Sequence, residues 1–206
     1  MYQILRKKTR IFLFFPALIL LCAGWADSWE DIRKQSGNIR SLQADFVQEK
    51  HMKILKNPLT SKGIFCFQAP GSLRWEYREP VQSILLSHAG KTKRYVKGKE
   101  GFVQESGGGM QAMQMVMDEI GRWMKGEFRD NPDYRAILEP GPAIRLRPKQ
   151  ESFSKIIQEI KIALSPDRPG IIDEVTIYES EDSYTRIIFR NAEINSQIPE
   201  SRFQEI

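Results

Sequence analysis

Across 206 residues the chain carries 31 Lys and Arg against 26 Asp and Glu, a formal excess of +5, yet Arg6, Lys7, Lys8 and Arg10 stand at its very start and without them the balance is +1. A basic surface built for nucleic acid is thereby excluded. The two cysteines and two histidines lie far apart, with no metal-ligand spacing, which excludes a disulfide framework and a zinc site.

The basic start runs into IFLFFPALILL (11–21), the layout of a secretory leader. That run is too short to span a bilayer, which takes about 20 apolar residues. Gly24-Trp25-Ala26 offers small residues for cleavage, so residues 1–26 are expected to be a signal peptide and 27–206 one exported domain. Cys22 keeps a second reading open, an acylated lipoprotein start, although Leu21 replaces the small residue such a signal wants. With the leader removed, Cys66 stands alone in GIFCF, where a thiol behaves as a small buried hydrophobe.

Ser28-Trp-Glu-Asp31 reads as a capping box with Asp in the fourth place, and Trp29, Ile32 and Ile39 follow near helical spacing. A helix is predicted from Ser28 towards Arg40, interrupted near Gly37. From Leu42 the pattern alternates, and strand grammar continues over 63–68, 73–77, 82–87 and 91–97, punctuated by Pro70-Gly71, Pro80, Ala89-Gly90 and Gly98. Gly107–Gly109 stops this meander and reads as a hinge. Beyond it Met110, Met113, Val116, Met117, Ile120, Trp123 and Met124 form one helical stripe, closed by Gly126. Strands are predicted again over 134–138, 143–147, 156–164, 171–178 and 184–189. About ten antiparallel strands with helices at two points predict a mainly β, α+β fold: an unclosed, strongly curved antiparallel half-barrel with a helical lid.

Chemistry is scarce. His51 and His88 have no partner at catalytic or metal spacing, the triple glycine lacks the Lys of a phosphate loop, and Arg74 with Glu76 reads as an ion pair on one strand face. Neither enzymatic activity, a metal nor a cofactor is expected. Apolar surface is more telling. Phe65 and Phe67 share a strand face, as do Leu73, Trp75 and Tyr77, and across the Pro70-Gly71 turn they can form one aromatic wall, with Leu85 beside it. Met113, Val116, Met117, Ile120 and Met124 supply a flexible, polarizable helix face opposite, suited to changing partners. Either pattern also suits an ordinary packed core.

The segments LQADFVQ (42–48), GIFCFQAPGSLRWEYREP (63–80) and QSILLSHAGKT (82–92) resemble the outer-membrane lipoprotein carrier family, LolA, and 171–203 looks like its closing hairpin and tail. The resemblance implies a monomeric periplasmic carrier whose half-barrel holds lipoprotein acyl chains. It also implies partners: an inner-membrane ABC transporter (LolCDE-like) that loads it and an outer-membrane acceptor (LolB-like) that unloads it. The residues alone leave open a carrier of another lipid or glycolipid, or a lipid-anchored acceptor or regulatory protein of the same fold. Typical family members have an Arg before the hairpin proline that holds the lid shut; this chain has Ala69 there, which leaves Arg74 or Arg94 as candidate latches.

Overall fold

The computed structural model describes residues 28–107, 110–168, 170–204 and 206. The expected leader, Cys22 and most of the glycine hinge lie outside the described residues. Helix α1 (Trp29–Ser36) starts where expected: Ser28 is extended, its Oγ accepts the Asp31 N–H at 3.1 Å, and Glu30 and Asp31 sit in the first turn. It ends at Gly37 rather than reaching Arg40. Ile32 is its fully buried anchor.

Then follow β1 (Ser41–His51), β2 (Leu59–Gln68), β3 (Ser72–Glu79), β4 (Ser83–His88), β5 (Lys91–Lys97) and β6 (Phe102–Glu105). Helix α2 (Met110–Met124) interrupts the strands, which resume as β7 (Tyr134–Glu139) and β8 (Ala143–Pro148). A short α3 (Glu151–Ser154) leads into β9 (Glu159–Leu164), β10 (Ile172–Ser180) and β11 (Ser183–Ile194), and a 3-10 turn closes the chain at Glu200–Phe203. All eleven strands form one antiparallel sheet in the order β6-β5-β4-β3-β2-β1-β11-β10-β9-β8-β7. The first and last strands of that order do not pair, so the sheet is not closed into a barrel, in agreement with the fold class read from sequence. The centre is the β1–β11 pair, which joins the meander before α2 to the meander after it.

Alternation decides which side chains reach the inner face. Phe46 on β1 lies across from Gly63 on β2, Phe65 faces Trp75, and Phe67 faces Leu73. These residues, with Ile144, Leu146, Ile160 and Ile162 from the other half, pack against Met117, Trp123, Phe128 and Ile32 in one core beneath the helices. Gly126, at a φ of +70°, brings the chain to the backbone of α1, where a Cβ would sit 2.8 Å from the Arg33 Cα. On the outer face a smaller cluster joins Cys66, Ile198 and Phe203, so the C-terminal turn is seated on the back of the sheet.

Candidate functional site

Between the inner face of the sheet and α2 lies a cavity of about 620 Å³, inside the range of roughly 300–1,000 Å³ that small-molecule sites occupy. Phe65, Trp75, Tyr77 and Leu85 stand in its wall, and Met115, Val116, Met117, Ile120, Trp123 and Met124 roof it. Of the expected lining residues, Phe67 and Leu73 do not reach the cavity. Each is 1% exposed and packs in the core beside it, because they pair with one another near the end of the β2–β3 hairpin. Met113 also lies outside the main cavity, in a groove that shares Tyr77 and Leu85 with it. Half of the wall comes from a region in which the sequence suggested only strands: Ile160, Ile172, Val175, Ile177, Ile187 and Phe189. Their signal was present in the alternation of IIDEVTIY and YTRIIF, which reads the same for cavity wall and for core.

The aromatic residues form a connected cluster. Phe46 sits 5.1 Å from Trp75 and 5.1 Å from Tyr77, and Phe65 and Phe189 each approach Trp75 edge-on at 5.3 and 6.0 Å. Such pairs add about 0.5–1.5 kcal/mol each beyond their buried area. The Tyr77 hydroxyl donates to Gln48 Oε1 at 2.9 Å, whereas the buried Trp75 Nε1 has no hydrogen-bond partner among the described residues. Its dipole nevertheless bears on the Tyr77 oxygen. Burial pushes the Tyr77 phenol up from its ordinary value, opposed by Trp75, Arg94 and Gln48.

Two acidic residues, Glu119 and Asp133, stand in the lining of this apolar space. Glu119 Oε1 accepts the Trp123 indole N–H at 2.6 Å and also the Asn131 amide, and Asn131 Oδ1 in turn accepts the N–H groups of Asp133 and Tyr134 at 2.9 Å each. This chain of hydrogen bonds ties the C-terminal half of α2 to the start of β7. The N-terminal half is looser, with Met115 44% and Val116 54% exposed. Burial raises the Glu119 carboxyl, and the two hydrogen bonds only partly offset it. An acid whose folded pKa lies above its unfolded value favours the fold at low pH, and that contribution is lost as pH rises from the unfolded towards the folded value. Glu119→Gln keeps an acceptor oxygen for both donors and removes the charge. Thermal midpoints measured from pH 4 to 8 are therefore expected to fall less with rising pH in the variant than in the wild type. Parallel profiles would show that the carboxylate is as well solvated as in the unfolded chain.

The two candidate latch arginines part ways. Arg74 does not face the lid, contrary to the latch expectation: it is 5% exposed on the outer face, where Nε donates to Glu76 at 2.9 Å and Nη1 to the Arg202 carbonyl at 3.0 Å, because a residue between Leu73 and Trp75 must point away from the cavity. Arg94 is on the inner face, across from Leu85 and beside Met113, and its Nη1 meets Glu105 at 2.6 Å; among the described residues it makes no hydrogen bond to α2. Ala69 packs against the core. Among the described residues no group of three His, Cys, Asp or Glu side chains is placed to hold a metal, and no helix is long and apolar enough to cross a membrane.

Residues 37–106 match the family model of the outer membrane lipoprotein carrier protein LolA. Over 89 residues the chain is 33% identical to an outer-membrane lipoprotein carrier protein of Methylococcus capsulatus, an alignment that spans 41% of this chain and 43% of that relative. Among solved structures, the MucA/MucB complex of Pseudomonas aeruginosa is similar with a TM-score of 0.49 at 12% identity, over 86% of this chain and 59% of that one. A LolA superfamily protein from Nitrosomonas europaea gives a TM-score of 0.42 at 10% identity, over 87% of this chain and 99% of that one. The matched segment 37–106 comprises β1 to β6, the half of the sheet that places Phe65, Trp75, Tyr77 and Leu85 in the cavity wall, and over that segment the chain is similar to the LolA family.

Proposed function

We propose that the protein is a periplasmic carrier, with residues 1–26 its export signal, that shields lipoprotein acyl chains in the cavity while they cross from the inner to the outer membrane. The observation that carries this reading is the cavity itself, whose wall is nearly all aliphatic and aromatic and whose roof is a methionine-rich helix. A buried methylene is worth about 0.8 kcal/mol, so one long acyl chain opposes transfer into water by roughly 10 kcal/mol. Side chains of Ile, Val, Phe and Met replace the lost lipid contact without a bond that must later be broken. Release then depends on how firmly the roof is seated. Methionine adapts to cargo of varying shape, and the stretch of α2 around the exposed Met115 and Val116 is the part of the roof with least to lose on opening.

In this reading an inner-membrane ABC transporter loads the carrier and an outer-membrane receptor lipoprotein receives the cargo. Native mass spectrometry of the full chain expressed in a Gram-negative host and purified from the periplasm is expected to show protein bound to acylated species. The mass of those species identifies them as lipoprotein or another lipid. A lipid-free protein whose tryptophan emission also fails to respond to added glycerol monolaurate would overturn the carrier reading.

A further inference from the structure

The groove that adjoins the main cavity has a different chemistry. It is lined by Ser61 of β2, Tyr77 of β3, Pro80 and Val81 of the β3–β4 turn, Ser83 and Leu85 of β4, Arg94 of β5 and Met113 of α2, and Tyr77 and Leu85 belong to both spaces. Register explains the assembly: Tyr77 pairs with Ser83, and Leu85 pairs with Arg94. The Arg94 guanidinium and the Tyr77 phenol line the same groove, and Arg94 is also paired with Glu105. The groove therefore sets the donors of Ser61, Ser83 and Arg94 among apolar side chains, beside an apolar chamber. An arginine has five N–H donors and no acceptor, and the contact with Glu105 engages one nitrogen. The Ser61 and Ser83 hydroxyls make no hydrogen bond among the described residues.

We propose that this groove is a head-group subsite that takes the carbonyl oxygens of ester- or amide-linked acyl cargo and so orients the chain, carbonyl end at Arg94, Ser61 and Ser83 and hydrocarbon inward past Tyr77 and Leu85. The inference rests on the acyl-carrier reading. A neutral carbonyl suits the site better than an anion, because Glu105 already balances the Arg94 charge while leaving donors to spare. A free carboxylate or phosphate would have to compete with Glu105 for the same cation.

Two lipids that differ only in the carbonyl test this: glycerol monolaurate, an ester, and dodecyl glycerol, its ether counterpart. The wild-type protein is expected to bind the ester about tenfold more tightly, the worth of a hydrogen bond to a charged donor at a half-exposed site. In Arg94→Met, which keeps an apolar stem of similar length, the preference is expected to fall towards one while ether affinity holds. Ser83→Ala, a smaller change in the same groove, should reduce the preference in part, and guards against a folding defect in the first variant. Equal affinities for ester and ether in the wild type, or an unchanged preference in both variants, would overturn the subsite and leave the carrier reading standing. Tighter binding of free laurate than of the ester, abolished by high salt, would overturn it in favour of an anion site. Binding of neither lipid would overturn the carrier reading and the subsite together.

Discussion

Gly63→Ala is expected to destabilise the protein by about 3–5 kcal/mol, at the upper end of what single substitutions do. Gly63 lies on β2 at a register shift, where its Cα faces the ring of Phe46 across the strand pair. A methyl group there would stand 1.9 Å from the Glu76 carbonyl oxygen and 2.8 Å from two ring carbons of Phe46. The ring alone would yield by a rotamer change, but the carbonyl belongs to the β3 backbone and moves only if the β2–β3 ladder moves. That ladder carries Phe65, Trp75 and Tyr77, so the substitution would disturb the cavity wall as well as the fold. Urea unfolding followed by circular dichroism measures the loss. A midpoint within error of the wild type would show that β2 and β3 separate at this point without cost.

Arg74→Ala should cost about 3 kcal/mol and loosen the C-terminal turn. The side chain is buried between the Glu76 carboxylate and the Arg202 carbonyl, so its removal takes a partner from each. Burial by itself would raise the Glu76 carboxyl, but hydrogen bonds from Arg74 and Arg78, reinforced by their charges, hold it below its ordinary value. A carboxylate held low contributes stability that is present above its unfolded pKa and lost as pH falls through the folded value. The gap between wild type and variant is therefore widest at neutral pH and narrows below about pH 4. The neighbouring thiol reports the structural half of the effect. Cys66 is fully buried beneath Phe203 and Ile198, and burial pushes its pKa up, so it should react slowly with disulfide reagents in the wild type and many times faster in the variant. Equal thiol reactivity would show that Phe203 and Ile198 hold the turn down without the arginine.

Much of this architecture is legible in the sequence because strands and turns announce themselves locally. The strand expected over 91–97 coincides with β5 at both ends, and the stripe from Met110 to Met124 coincides with α2. Strand β6 was missed because FVQE is short and mostly exposed, with no alternation for a buried face to impose. The predicted strand start at Ile156 falls in the turn after α3, where an aliphatic run looks like a strand although Ile156 is 66% exposed. The site is harder to read than the fold. Periodicity states which face a side chain takes, and Arg74, between Leu73 and Trp75, points away from any lid on that ground, against its reading as a latch; it says nothing of how far from the cavity a residue on the inner face will be. Phe65 and Phe67 have the same pattern and the same face, and only the position of α2 above the sheet makes the first cavity wall and the second core. Ser61, Ser83 and Arg94 lie on three different strands and meet only in the folded groove, a relation that no short window of sequence contains.

The unpaired ends of the sheet also bear on capacity. In a closed barrel, strand number and stagger fix the bore, so a larger guest can enter only by breaking the ladder. Here β6 and β7 are free of one another, and the sheet can flatten or tighten by small changes of twist along its length with every interstrand hydrogen bond intact. On the carrier reading, the cost of admitting a bulkier acyl group then falls on side-chain contacts beneath α2, each worth about tenths of a kcal/mol, instead of on the backbone. A vessel built in this way is sized by its contents.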